Sequence, residues 1–307
     1  MEVPRSGVLA GVLSKVPPSH LYHYTGPAGA IGILTSRTLW AGRPSDMNDS
    51  TEQLLGRKYA IEKMHEYLGQ YALHSFGQNM ADYSIELLST GPWRRGRTES
   101  RIFTVSLTPQ RDSLEQWRAY CPRSGGVALG FPTQHLIAVA AEQRFTLAPC
   151  VYDQSTQRAI VDEVVALHVQ KWADRFPLDA SMKGMSGDMV RAFVAEVDQV
   201  SPLLKHHTFA AEQEWRLLSP LVQGSDGALI HVPSETGIKL FRPFKLLTDE
   251  HPRMARFEEG SFPGPRTFHA VMGPNVDPSG MSEAIRTLVP PEFGYQYDVT
   301  RTATPYR

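Results

Sequence analysis

Short strand-like runs are interspersed along this chain with helical patterns, and the two do not alternate regularly. A doubly wound parallel sheet requires that alternation, so the pattern points to a mixed α+β fold carrying helical insertions. The first unit is compact. Leu21 to Thr25 reads as a strand that ends at Gly26-Pro27, where the fixed φ of Pro27 suits the first turn of a helix. Ala30, Ile33 and Leu34 then recur at helical spacing, and Leu39-Trp40-Ala41 reads as a second strand.

Further along, Ser50 with Gln53 makes a capping box for a long helix bearing Leu54, Ile61, Met64 and Leu68. Gly69 to Ser100 is weakly patterned and reads as a loop with a basic cluster at Arg94, Arg95, Arg97 and Arg101 beside Trp93. Strands are expected at Ile102–Leu107, Gly126–Phe131, Cys150–Tyr152, Glu212–Val222, Leu229–Val232 and Thr267–Met272. Ser113 with Gln116 opens a short helix; longer ones follow around Ile160–Trp172 and Val190–Val197, and another at Ser282–Leu288. The segment from Pro252 to Pro265 reads as loop. The expectation is a single domain over 1–307, with helical insertions at about 50–100 and 155–205.

Composition excludes several classes. Apolar residues make up 41% and charged ones 21%, which disfavours disorder, collagen and a coiled-coil rod. A net charge of −1 provides no global field for nucleic acid or anionic membrane, so any polyanion must be held locally. The apolar stretch Val8–Leu13 is shorter than an export-signal core, and no run approaches a membrane span, so a cytoplasmic protein without a membrane partner is expected. Two cysteines, Cys121 and Cys150, are too few for a disulfide framework. His206-His207 are adjacent and no H-E-x-x-H occurs, so no metal is expected; Gly-rich nucleotide loops are also absent.

The densest polar constellation is Glu212-Gln213-Glu214-Trp215-Arg216-Leu217. Read as a strand, it puts Glu212, Glu214 and Arg216 on one face and Gln213, Trp215 and Leu217 on the other. The bland alternative is a solvated face with weak surface pairs. His23 lies between Tyr22 and Tyr24, followed by Thr25, and by itself is either a hydrogen-bonded core histidine or a ligand. Trp117 and Tyr120 share a helix side, as core or as stacking surface. Asn48-Asp49 reads as an N-cap.

Together these residues resemble an uncharacterised bacterial family, domain of unknown function 2971. The resemblance runs through Leu21-Tyr22-His23-Tyr24-Thr25, Leu39-Trp40, Asn48-Asp49 and Glu52, and continues with Gln116-Trp117-Arg118, Tyr120 and Gly126-Val127. It ends with Lys205, Phe209, Glu212, Glu214-Trp215-Arg216, Gly273-Pro274-Asn275 and Pro305-Tyr306-Arg307. Ser50 stands where that family carries proline, and Cys121 where it carries glycine. A more distant likeness is to the ADP-ribosyltransferase superfamily, which implies a split β-sheet whose cleft takes NAD.

That second resemblance implies roles. His23, with Tyr24 and Thr25, would meet the adenosine ribose, Trp117 or Tyr120 the nicotinamide, and Glu214 the nicotinamide ribose, while Glu212 prepares the acceptor. Arg216, Arg43 or Lys205 would balance the pyrophosphate. The chemistry suits a carboxylate: cleaving the ribose–nicotinamide bond builds an oxocarbenium-like centre, which a carboxylate on the 2-hydroxyl stabilises as charge develops. The expected function is transfer of ADP-ribose from NAD to an acceptor protein or nucleic acid, as a toxin-like or defence effector. The alternatives are a non-catalytic nucleotide- or RNA-binding module and an NAD glycohydrolase.

Overall fold

The computed structural model describes residues 7–44, 52–70, 75–90, 101–175, 186–222, 227–234, 237–253, 268–289, 291–293 and 297–304. A short helix, α1 (Val8–Leu13), precedes strand β1 (His20–Thr25), helix α2 (Pro27–Ser36) and strand β2 (Thr38–Gly42). Pro27 occupies the start of α2 and Arg37 ends it in the left-handed conformation, so the strand–helix–strand unit follows from its punctuation.

Helices α3 (Glu52–Gln70) and α4 (Ser75–Thr90) come next, then strand β3 (Thr104–Leu107), helix α5 (Leu114–Tyr120), strand β4 (Val127–Pro132), helix α6 (Thr133–Glu142) and strand β5 (Thr146–Pro149). Helices α7 (Gln154–Arg175) and α8 (Ser186–Val200) lead through two 3₁₀ turns, Ser201–Leu203 and His207–Glu212, into strand β6 (Trp215–Leu218). The chain finishes with β7 (Ile230–Ser234), β8 (Gly237–Lys245), β9 (Phe268–Met272), α9 (Pro278–Leu288) and β10 (Tyr297–Arg301).

Among the described residues the fold is mixed α+β with two sheets, one ordered β1-β4-β9-β10 and the other β5-β6-β3-β2-β8-β7. Strand β3 joins them. It pairs with β2 at a single position, Gly42 with Thr104. Beyond it, the chain meets the other sheet, where Tyr22 and Thr108 exchange backbone hydrogen bonds of 2.7 and 2.9 Å. The seam between the sheets therefore opens where β3 leaves one neighbour for another.

Two apolar clusters hold this arrangement. One lies between the sheets and takes Leu21, Leu39, Ala41, Val105, Leu107, Leu129, Leu217 and Phe244 with side chains of α2, α6 and α9. Alternation along the strands makes this one face of the six-stranded sheet. The opposite face meets the second cluster at Ala148 and Leu218, where α3, α4, α7 and α8 pack together. These helices cover the β5–β6 end of that face.

Several expectations need correction. The stretch from 69 to 100 is not simply a loop: α4 occupies 75–90 and buries Met80, Ala81, Ser84 and Leu88, a helical spacing diluted by polar residues. The strand expected at Glu212–Val222 spans only Trp215–Leu218, because Gln213 adopts φ 48 and the segment before it is a 3₁₀ turn. The strand expected at Cys150–Tyr152 lies at 146–149, with Val151 making an isolated bridge to Leu204. Ser113 starts α5 without a side-chain cap bond. Helix α6 and strands β8 and β10 have no counterpart in the sequence reading. The Asn48-Asp49 and Ser50 caps, the arginines at 94, 95 and 97, most of the 252–265 segment and the terminal Pro305-Tyr306-Arg307 lie outside the described residues.

Candidate functional site

At the seam a small cleft is lined by Tyr22, His23 and Tyr24 from β1, by Ser106, Leu107 and Thr108 from β3 and the turn after it, by Gln116 and Tyr120 from α5, and by Glu212 and Glu214. Residues from the two sheets and from segments nearly two hundred positions apart thus converge. The turn ahead of β6 is tied down by Thr108, whose hydroxyl donates to the Glu212 carbonyl at 2.8 Å, and by Gln110, which donates to the Ala211 carbonyl.

Glu212 and Glu214 reach the cleft by a route other than strand alternation. Gln213, in the left-handed region, turns the chain between them, and both carboxylates close on one ammonium. Lys205 Nζ donates to Glu212 Oε2 at 2.8 Å and to Glu214 Oε2 at 2.6 Å. Arg216 Nε donates to Glu214 Oε1 at 2.8 Å and its Nη2 to Glu214 Oε2 at 2.9 Å. Glu214 is only 4% exposed. Burial acts against its charge, but the Arg216 guanidinium and the Lys205 ammonium outweigh that and hold its pKa down at about 2. Burial likewise opposes the charge of Lys205, and the Glu214 and Glu212 carboxylates overcome it and keep the ammonium protonated.

The two acids are therefore unequal. Both oxygens of Glu214 are committed to cations, whereas Glu212 is half-buried and its Oε2 takes Lys205 and the Tyr120 hydroxyl, the latter at 2.9 Å. Glu212 Oε1 accepts no hydrogen bond from the described residues. The carboxylate with an open acceptor is Glu212, although the sequence reading assigns the substrate ribose to Glu214.

His23 lines the opposite wall. A carbonyl can only accept, so the 3.1 Å contact between His23 Nδ1 and the Ser106 carbonyl fixes the proton on Nδ1 and leaves Nε2 as an acceptor. Burial pushes its pKa below the usual histidine range, which keeps the ring neutral. Tyr24 also lines the cleft, but its hydroxyl is engaged, donating to the Gln110 carbonyl at 2.8 Å and accepting from the Ser113 N–H at 3.0 Å.

The remaining candidates lie behind the lining. Trp117 is 2% exposed, donates its indole N–H to Asp112 Oδ1 at 2.7 Å and packs edge-on against Tyr24, so it has no free face for a ligand ring. Tyr120, on the same helix, is the aromatic that reaches the cleft. Arg216 is also 2% exposed and donates its Nη1 to the Pro202 carbonyl, so it neutralises Glu214 from inside rather than meeting a pyrophosphate. Thr25 ends β1 outside the lining, and Arg43 is likewise not part of it. Lys205 stands under the acid pair instead of at a phosphate. Two residues that the sequence motifs contain but that carry no assigned role also line the cleft: Tyr22, whose hydroxyl pairs with His269 Nδ1 at 2.7 Å, and Gln116, a buried amide on α5.

The cleft volume is 40 Å³, which holds roughly three waters at about 10–15 Å³ each. Only a fragment of a nucleotide fits inside, so a larger ligand must extend over the surface beside it. Nothing in the lining gathers metal ligands: among the described residues no group of three or more histidine, cysteine, aspartate or glutamate side chains is arranged for an ion. No helix there is long and apolar enough to cross a membrane.

A family model described as "Protein of unknown function (DUF2971)" matches residues 116–217. That segment is similar to the family and contains Gln116, Tyr120, Lys205, Glu212, Glu214 and Arg216, which supply much of the polar part of the cleft. No curated protein and no solved structure matches the chain.

Proposed function

We propose that the seam cleft grips the nicotinamide ribose of NAD through its hydroxyls, with the rest of the dinucleotide over the adjoining surface, and that the protein transfers ADP-ribose to a macromolecular acceptor. The observation that carries this reading is the open Oε1 of Glu212 in a cleft lined across the seam by neutral His23. Glu212 would grip a ribose hydroxyl and strengthen that bond as positive charge grows on the ring. His23 Nε2 would accept from a second hydroxyl, and Tyr120 would bound the leaving ring. Nicotinamide departs neutral, so the site needs no strong general acid. Glu214 acts in this reading through Lys205, whose ammonium it positions against Glu212.

A second reading has a specific observation behind it. The ammonium on Glu212 lowers the carboxylate's ability to stabilise a developing cation, which suits a nucleotide-binding module without turnover. The two readings separate when the purified chain is incubated with NAD labelled in the adenylate half, with and without cell lysate. Transfer leaves label on macromolecules, and nuclease or protease treatment then identifies the acceptor class. Label appearing only in free ADP-ribose would make the protein a glycohydrolase; unchanged NAD would favour the binding module.

A further inference from the structure

We infer that the exposed Trp40–Phe241 ledge is a seat for a purine ring, continuous with the seam cleft, and that its occupant is the adenine half of the dinucleotide. The inference rests on the NAD reading for the identity of the ligand and on strand register for its place.

Register carries the first step. Arg216 pairs with Ser106, Thr104 with Gly42, and Gly42 with Phe241, while Trp40 pairs with Pro243. Paired residues, and residues two apart along a strand, share a face. Arg216, Ser106, Trp40, Phe241 and Pro243 therefore stand on one face of the six-stranded sheet. Ser106 lines the cleft and accepts the His23 hydrogen bond, so the ledge begins one strand away from it.

Exposure carries the second. The same face is covered by helices at β5 and β6, and Arg216 is buried there, yet on β2 Trp40 is 48% exposed. Its ring lies 5.5 Å from that of Phe241 at an interplanar angle of 42°, a tilted pair that leaves indole surface open. A large aromatic surface held open beside a cleft is the kind of platform on which nucleobases stack.

Size and charge carry the third. The cleft has 40 Å³, whereas sites that bury a whole small ligand run to roughly 300–1,000 Å³, so most of a dinucleotide must lie on the adjoining face. Lys239 shares that face through its pairing with Val232 beside Phe241, and Lys245 through its pairing with Thr38 beside Trp40. Both lie on β8, across β2 from the cleft strand, and put positive charge along the outer margin of the ledge, where an anionic ligand is favoured.

The test titrates the full chain with AMP and, separately, with nicotinamide mononucleotide, by calorimetry, for wild type, Trp40→Ala, Trp40→Phe and Glu212→Gln. Trp40 is about half exposed, so Trp40→Ala should lower Tm only modestly and leave the chain folded. The expected result is AMP binding that weakens roughly tenfold or more in Trp40→Ala, recovers in Trp40→Phe and is unchanged in Glu212→Gln. Nicotinamide mononucleotide should show the reverse dependence. AMP affinity unaltered by Trp40→Ala, or no AMP binding while nicotinamide mononucleotide binds, overturns the ledge and leaves the cleft reading intact. Trp40-dependent AMP binding with no binding of nicotinamide mononucleotide supports the ledge and removes the cleft reading. Wild type that sediments as a dimer which Trp40→Ala dissociates would give the ledge to a second copy of the chain and overturn the proposal.

Discussion

Glu214 Oε2 holds the Lys205 ammonium at 2.6 Å in the protein interior, and that contact sets the geometry of the neighbouring Glu212. A carboxylate buried with two cations behaves as part of the fold before it behaves as chemistry. Glu214→Gln would leave Lys205 and Arg216 short of negative charge, and breaking a buried ion pair from one side typically costs about 3–5 kcal/mol. The expected outcome is a urea midpoint well below wild type with an unchanged m-value. A Glu214 that only faced substrate would leave folding unchanged in Glu214→Gln, so the same measurement decides between a structural and a purely substrate-facing Glu214.

Acid stability should carry the same signature. The folded pKa of Glu214 is held at about 2, by charge that outweighs burial, whereas an unfolded glutamate titrates at about 4.3. Between those values the unfolded chain binds more protons, so this contribution is fully present above about pH 4.3 and is lost as pH falls toward 2. It amounts to about 3 kcal/mol at two pKa units or slightly more. Urea unfolding at pH 3 and pH 6 should show a smaller pH difference for Glu214→Gln than for wild type.

Gln213 separates the two acids with φ 48 and an exposed side chain. Left-handed backbone costs an ordinary residue roughly 1–2 kcal/mol that glycine avoids. Gln213→Gly should therefore hold or raise Tm, Gln213→Ala should leave it nearly unchanged, and Gln213→Val should lower it. Trp215→Ala should lower it as well, by less than a fully buried tryptophan would, because Trp215 is only partly buried against the sheet core.

Gly273 supports Trp117 from below. A Cβ at Gly273 would come within 2.7 Å of the indole ring and 3.0 Å of the Gly126 carbonyl. Gly273→Ala must displace one of them, at roughly 1–3 kcal/mol. Because Trp117 anchors the helix that carries Tyr120, thermal unfolding should shift down and any nucleotide affinity of the cleft should fall with it.

Much of this was legible in the sequence where punctuation and periodicity agree. Pro27 and Gly26 announce α2, and the apolar spacing of Ile160, Val161, Val164 and Val165 announces α7. His23, Tyr24, Tyr120, Glu212 and Glu214 were separately marked, and one cleft gathers them. What stayed hidden was nonlocal. The turn at Gln213 depends on the 3₁₀ segment docked under Thr108, so an apparent strand face became a bend. The inequality of the two acids depends on Lys205, which arrives from a turn anchored to Val151. Strand β8 has the proline Pro243 in its middle, which argues against a strand until its place beside β2 is known.

The central claim is tested most directly by the rate at which nicotinamide is released from saturating NAD by wild type and by Glu212→Gln. Glu212 is half-buried and less entangled in the fold than Glu214, so its amide variant should remain folded, and saturating NAD removes any weaker binding at the nicotinamide end from the comparison. Loss of the charge that faces the developing oxocarbenium should slow release by roughly a hundred- to a thousandfold. Wild-type protein that releases no nicotinamide, or a Glu212→Gln variant that releases it as fast as wild type, would contradict the account.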